Sequence, residues 1–545
     1  MNKIWSASLF ACAILMAPAA YASDKRDFEG CDGRIHPGKQ DDGLRGEAAQ
    51  NSYSFFGGVR GIDIAACTRA LASPRLLPTQ RLRKAHLLRA RAAGYLQSAE
   101  IDNAIADLDL AEKETSDLAN DRFFRRSLGV SLSLMRALAL TYKGQNDGVA
   151  SLLSAAKGTR PYSLQVQYGV AEISQASRKI GDGSPSPWLT VIKLEPAAAI
   201  NAVIQEAELG NFANALKLAQ GVKLEWPTQS LQPYGLLSPN AQTSSLLSSV
   251  IMTLHTAYAK AATGDVEGAR QDLSRLEEGV APALATSPQA PVSNVQSPAR
   301  NALKDFIALR RRQIEARIAT AEGRTNDALS ALVGSGMPRD AATIELLTAL
   351  RTALPAQGGL VVPDITSFEK DLAEKRRKDL IEIVRKLLVA PETPRSVVDY
   401  ERARPNIVGA LIGGALTMGT SLLGGINRTD GFRSTDNADG TTKVEFIGNT
   451  PSAALVQEMT LLRAAELAKS AGKNAFVIVD RKDFTRTMQS TRNGMVISSV
   501  NNGFKTELTV RFIENTGDMP YAFGTDEVLD SLGPLYYEEA RPAKK

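Results

Sequence analysis

Three cysteines and three histidines are all the soft or nitrogen metal ligands of this kind that 545 residues offer. Their spacing limits what they can do. His36, His86 and His255 lie far apart, and none has a second ligand at helical spacing. A zinc centre needs about four such ligands in fixed geometry, so no metal or cofactor is expected. The chain has no G-x-S-x-G elbow, no G-x-x-x-x-G-K-[ST] phosphate loop and no H-E-x-x-H helix. The paired carboxylates Glu277-Glu278 and Glu538-Glu539 read as solvated. No catalytic residue is assigned, and the expectation is a protein that is not an enzyme.

The first residues fix the compartment. Lys3 is the only charge before Asp24, an apolar stretch runs from Ile4 to Ala17, and Ala20-Tyr21-Ala22 has the small-x-small form of a signal-peptidase site. Residues 1–22 are therefore read as a signal peptide, cut between Ala22 and Ser23. A lipoprotein alternative rests on Leu9-Phe10-Ala11-Cys12, but Phe10 is bulky for that motif and the apolar run continues past Cys12. An uncleaved anchor is the other alternative, although the stretch is short for a span of about 20 residues. Export to the periplasm makes a Cys31–Cys67 disulfide the natural reading, with two separate buried thiols as its alternative. The net charge is +5, too small to imply nucleic acid.

Length alone allows two to four domains, since single cores rarely exceed about 250–300 residues. The chain is 43% hydrophobic, 23% charged and only 6% aromatic, which favours helices packed through small residues. Residues 23–58 form an N-terminal segment with Cys31. From 59 to 350 the pattern is one of helical hairpins. Leu88, Ala92 and Tyr95 share one helix face, and Ala104, Leu108 and Ala111 share the next. Turns are expected at Ala99, Gly144, Gly210, Gly264 and Gly323. The set Ala92, Tyr95, Ala104, Leu108, Ala111 resembles the tetratricopeptide repeat, with Ala99 in place of the turn glycine. Further copies hold Ala137, Leu153, Ala156 and Pro161; Ala215 and Ala219; Ala257, Ala269 and Leu273; Ala316, Ala328 and Leu332. The turns are not spaced by the 34 residues of that family, so extra helices must lie between hairpins. The resemblance implies an irregular α-solenoid whose groove holds a peptide or another protein. Basic clusters at Arg81, Arg83, Lys84, Arg89 and Arg91, at Arg122, Arg125 and Arg126, and at Arg310, Arg311 and Arg312 read as solvated helix faces, with anionic lipid or an acidic partner as the sharper reading.

Residues 351–406 form a linker and an amphipathic helix over Phe368–Val389, with a stripe of Leu380, Ile383, Val384, Leu387 and Leu388, expected to close the open end of the solenoid. The pairs Asp371–Lys375, Glu374–Lys378 and Glu382–Lys386 have the favourable order. Residues 407–442 combine a glycine-rich apolar segment (407–426, without a charge and with G-x-x-x-G spacing) and a polar loop. Membrane contact through 407–426 is one reading; a buried glycine-rich hairpin or apolar loop is the other.

From 443 to 545 a compact α/β unit is expected in the order β-α-β-β-β. A strand at Lys443–Phe446 precedes a helix that starts at Thr450-Pro451 and ends before Gly472. Strands follow at Phe476–Val479, Met495–Val500 and Thr506–Ile513, the last two joined by a turn at Asn501-Asn502-Gly503, with a further one near Phe484–Ser490. Phe446-Ile447-Gly448-Asn449-Thr450, Arg463-Ala464-Ala465-Glu466 and Phe476-Val477-Ile478-Val479-Asp480 resemble a family of small proteobacterial envelope lipoproteins, which implies a location rather than an activity. Arg463 and Glu466, one helical turn apart, are the candidate polar site, with a local ion pair bridging helix and sheet as the alternative. The fold class is thus mainly α, an irregular tetratricopeptide-like solenoid followed by a small C-terminal α/β domain. The functional expectation is an exported envelope scaffold or adaptor that binds envelope protein partners, without nucleic acid. The alternatives are a cell-wall ligand binder or enzyme with its site between solenoid and C-terminal domain, and a membrane-inserted assembly factor using 407–426. Oligomeric state is not readable.

Overall fold

The computed structural model describes residues 24–34, 62–220, 222–226, 241–284, 296–332, 336, 338–353, 364–392, 431–448, 452–492, 495–519 and 521–537. The expected signal peptide, its cut site at Ala22 and Ser23, and segment 407–426 lie outside the described residues. The chain is mostly helical with a small antiparallel sheet at its C-terminal end, the fold class that the sequence implies.

The N-terminal helix α1 (Asp24–Asp32) lies against α2 (Ile64–Leu71) and α3 (Arg81–Gln97). Cys31 and Cys67 meet at disulfide distance, with Cα atoms 4.5 Å apart. Phe28 is fully buried beside them, and Arg83 grips the buried Asp32 with both terminal nitrogens. A buried arginine is tolerable only when its charge is matched this closely.

Hairpins follow. They pair α3 with α4 (Ile101–Glu114), α6 (Val130–Tyr142) with α7 (Val149–Thr159), and α10 (Ala198–Glu208) with α11 (Phe212–Ala219). Further on, α12 (Ala241–Ala262) pairs with α13 (Val266–Leu284), and α14 (Gln296–Ala321) with α15 (Thr325–Leu332). Each of the five expected turn positions has a left-handed backbone, with φ of 58° at Ala99, 71° at Gly144, 78° at Gly210, 94° at Gly264 and 77° at Gly323. That conformation is what glycine supplies without a steric cost. The irregular spacing comes from inserted elements: a short helix α5 (Arg122–Phe124), α8 (Leu164–Ser177) and α9 (Leu189–Leu194) interrupt the hairpin series, and α16 (Ala341–Ala353) follows it.

The linker helix α17 (Thr366–Glu382) is shorter than expected, and the chain tightens into a 3₁₀ turn over Val384–Leu387. All five stripe residues are buried. The stripe does not close an open end. It lies against α3, α6 and α8, and shares one apolar core with them. Of the expected ion pairs, Glu374–Lys378 forms at 2.9 Å. Asp371 pairs with Arg339, and Lys386 reaches Glu172 at 2.9 Å.

The C-terminal unit begins earlier than residue 443. Strand β1 (Gly431–Asp436) occupies part of what reads as a polar loop, because an edge strand with only Phe432 buried carries little apolar signal. It pairs with β2 (Thr442–Gly448). Helix α18 (Ala453–Ser470) follows, then β3 (Ala475–Arg492), β4 (Met495–Ile513), the short β5 (Phe523–Gly524) and α19 (Thr525–Tyr536). The helix starts after Ser452 rather than at Thr450-Pro451, which lie outside the described residues. Its end before Gly472, at φ 70°, is as expected. The sheet is fully antiparallel in the order β1-β2-β4-β3-β5. The strands read as separate are fused: Phe476–Val479 runs on into Phe484–Ser490, and Asn501-Asn502-Gly503 lies inside β4. Bulges near Val479, Arg486 and Thr491 absorb the breaks in alternation without ending the strands.

Candidate functional site

Helices α3, α6 and α8 hold a stretch of their own chain. Arg89 on α3 donates to the Val389 carbonyl at 2.7 Å, and Ser131 on α6 donates to the Leu387 carbonyl at 2.5 Å. Gln165 on α8 donates to the Lys386 carbonyl at 2.6 Å and to that of Leu388 at 3.3 Å. Ile383, Val384, Leu387, Leu388 and Val389 are buried, while Arg385 and Lys386 face outward. Gly169 makes the seat: a Cβ there would lie 2.8 Å from Leu387 Cδ2. Arg376 fastens the approaching helix by donating to the carbonyls of Gln175 at 2.6 Å and Arg178 at 2.8 Å. Those carbonyls lie at the C-terminal end of α8, where the Arg178 N–H also caps that of Gln175 at 3.4 Å, and a guanidinium suits that end in charge.

This stretch ends at a buried charge cluster that joins three parts of the chain. One turn of π-helix, Arg125–Gly129, sits between α5 and α6. Such turns occur as single bulges within helices. Arg126, in this turn, donates through Nε to Glu392 at 3.1 Å and through Nη2 to Glu458. Arg160, at the end of α7, donates through Nε to Glu458 at 2.8 Å and pairs with Glu392 at 2.5 Å. Tyr536 on α19 donates to Glu458 at 2.5 Å. Arg160, Glu458 and Tyr536 have no exposed surface.

Two guanidiniums face two carboxylates, so the cluster is neutral as a whole. Burial alone would raise the Glu458 carboxyl, but Arg126 and Arg160 outweigh it and hold it at about 2. Burial likewise opposes the charged form of Arg126, and Glu458 with Glu392 overcomes it, so Arg126 sits above its ordinary value. A carboxylate held this firmly ionised is poorly matched to proton transfer near neutral pH. A small crevice opens beside it and is lined by Arg122, Phe123, Arg126, Glu392, Leu535 and Tyr536. Around this cluster the C-terminal unit packs on the helices. Arg122 donates to the Pro534 carbonyl at 3.1 Å, Arg481 to that of Leu194 at 3.2 Å, and Tyr162 meets Phe523 edge-on at 6.1 Å.

The sequence-expected polar pair forms an ion pair. Arg463 Nη1 lies 2.8 Å from Glu466 Oε2, and Tyr537 donates to the other Glu466 oxygen at 3.1 Å. Through Tyr537 the pair ties α18 to the end of α19. The basic clusters are solvated only in part: Arg125 and Arg312 are exposed, while others are matched by acids. Arg83 is matched by Asp32, Arg91 by Asp107 at 2.7 Å, Lys84 by Glu114 at 2.6 Å and Arg310 by Asp340. Sequence reasoning missed Glu392 and Glu458, and read Arg126 as a surface charge. The available signal was Glu458 itself, an acid among Leu455, Val456, Met459, Leu461 and Leu462. Among the described residues there is no group of acidic, histidine and cysteine side chains able to hold a metal ion, and no helix long and apolar enough to cross a membrane. Comparison with protein-family models, curated proteins and solved structures yields no match to this chain.

Proposed function

We propose that this protein is an exported cell-envelope adaptor, not an enzyme, that holds protein partners on a tetratricopeptide-like helical array, with the C-terminal α/β unit fixed to the array as its closing piece. The observation that carries this reading is the grip of Arg89, Ser131 and Gln165 on successive main-chain carbonyls. Three neighbouring helices are equipped to hold an irregular peptide by its backbone, which is the task a helical-repeat surface performs on a partner. The Cys31–Cys67 pair supports an oxidising compartment. The rival, a cell-wall ligand site between array and C-terminal unit, is less favoured because each charge of the cluster at that junction is paired with an opposite one.

The test is site-specific photocrosslinking in intact cells, with the photoreactive residue placed at exposed positions such as Leu110 on α4 and Leu247 on α12. Discrete protein adducts are expected. Adducts with wall glycan and none with protein would overturn the adaptor reading in favour of the rival.

A further inference from the structure

The stretch seated on α3, α6 and α8 differs from ordinary core in how it is held. After Glu382 it forms neither α-helix nor strand, but a 3₁₀ turn and then chain without regular structure. Its carbonyls at Lys386, Leu387, Leu388 and Val389 each accept from a side chain of the array, and that of Leu387 also accepts from the Val389 N–H at 3.0 Å. Its apolar residues face the helices while Arg385 and Lys386 stay outside, the pattern of an amphipathic ligand in a groove. Its far end presents one carboxylate, Glu392, to a pair of arginines. The helix that delivers it is lightly held: of the 17 residues of α17, only Phe368, Leu372 and Leu380 are buried.

From these features we infer that residues 380–392 are an internal ligand that closes the peptide groove of the first hairpins. A partner segment of the same chemistry enters by displacing it. That chemistry is an aliphatic pair at the positions of Ile383 and Val384, a second pair at Leu387 and Leu388, and a carboxylate at the position of Glu392 for Arg126 and Arg160. This rests on the adaptor reading and adds its regulation. A tethered ligand competes at high effective concentration, so the groove is shut at rest and the apparent affinity for a free segment is reduced by the small open fraction. Arg376, which fastens α17 to the end of α8, sets that fraction.

The experiment uses the whole mature protein, a fluorescein-labelled peptide copying residues 378–392, and hydrogen exchange read by mass spectrometry. In the wild type, residues 383–389 are expected to exchange through an opening that leaves α3 and α6 protected. Arg376→Ala should speed that exchange and raise peptide affinity at least tenfold, and a peptide with glutamine at the Glu392 position should bind about tenfold more weakly. Exchange of 383–389 only together with α3 and α6 overturns the inference, since the stretch is then permanent core. So does equal peptide binding by a folded Arg376→Ala variant and the wild type. If that variant fails to fold, the wild-type exchange pattern decides alone. Photocrosslinked envelope adducts are scored separately, so this inference can fail while the adaptor reading stands.

Discussion

Arg160 and Glu458 stand 298 residues apart in the chain and 2.8 Å apart in the fold, and neither has any exposed surface. Together with Arg126 and Glu392 they make the helical array and the C-terminal unit dependent on each other. Glu458→Gln removes one of two carboxylates from two buried guanidiniums. Breaking such a pair from one side costs about 3–5 kcal/mol. Urea denaturation should show that loss, and a loss below about 1 kcal/mol would mean that the cluster is not a stabilising lock.

Acid should act in two windows. His255 is held neutral by burial, with Arg310 nearby, and sits at about 4 instead of 6.5. The unfolded chain therefore takes up its proton first, and this contribution is complete above pH 6.5 and is lost as pH falls toward 4. Glu458 is held at about 2 against an ordinary 4.5. Its contribution is present above pH 4.5 and lost as pH falls toward 2. His255→Gln should shrink the upper window, to which His86, also pushed well down by burial, contributes as well, and leave the lower one. Melting temperatures between pH 7 and pH 2 measure both, and identical profiles for variant and wild type would remove His255 from the account.

Reducing the protein, or the double change of Cys31 and Cys67 to serine, opens a link across 36 residues. The chain-entropy relation gives about 3–4 kcal/mol for a loop of this size. Exchange should quicken first in α1, whose remaining ties include Phe28, Asp27 to Arg69 at 2.8 Å and Asp32 to Arg83.

Ala99 takes a left-handed backbone, φ 58°, where the other hairpin turns place glycine. Ala99→Gly relieves that strain at the expense of a more flexible unfolded chain, and should stabilise by about 0.5–1 kcal/mol. A lower melting temperature for the variant would count against the assigned turn geometry.

Gly169→Ala tests the seat beneath Leu387. The added Cβ would lie 2.8 Å from Leu387 Cδ2 and 3.4 Å from Leu134 Cδ1. Overpacking of this kind costs about 1–3 kcal/mol. The effect should concentrate at 383–389 in hydrogen exchange, and an unaltered pattern would show that the side chains yield freely.

What the sequence reveals follows the range of the forces involved. Hairpin turns are local, and Gly144, Gly210, Gly264 and Gly323 mark them within a few residues. The α18 helix is equally local, closed by Gly472. The stripe from Leu380 to Leu388 is legible as an apolar face, but a stripe does not name the surface that receives it. The charge cluster is least legible, because Arg126, Arg160, Glu392 and Glu458 acquire meaning only from one another, across as many as 332 residues. Strand β1 is hidden for a different reason: at a sheet edge, Arg433, Ser434, Thr435 and Asp436 need no apolar partner. The fused strands β3 and β4 are misread because a bulge shifts alternation just as a turn would.

The interior stretch over α3, α6 and α8 also bears on how the chain folds. Arg89 meets Val389 across 300 residues, Ser131 meets Leu387 across 256, and Arg122 meets Pro534 across 412. Contacts so remote in sequence form late, after loop-closure entropy has been met. Until then the first hairpins hold an open apolar channel and two arginines with no counter-charge. A chain cut short before residue 380 stays in that condition, so a truncation at one end exposes sticky surface near the other and marks the incomplete molecule for aggregation or proteolysis.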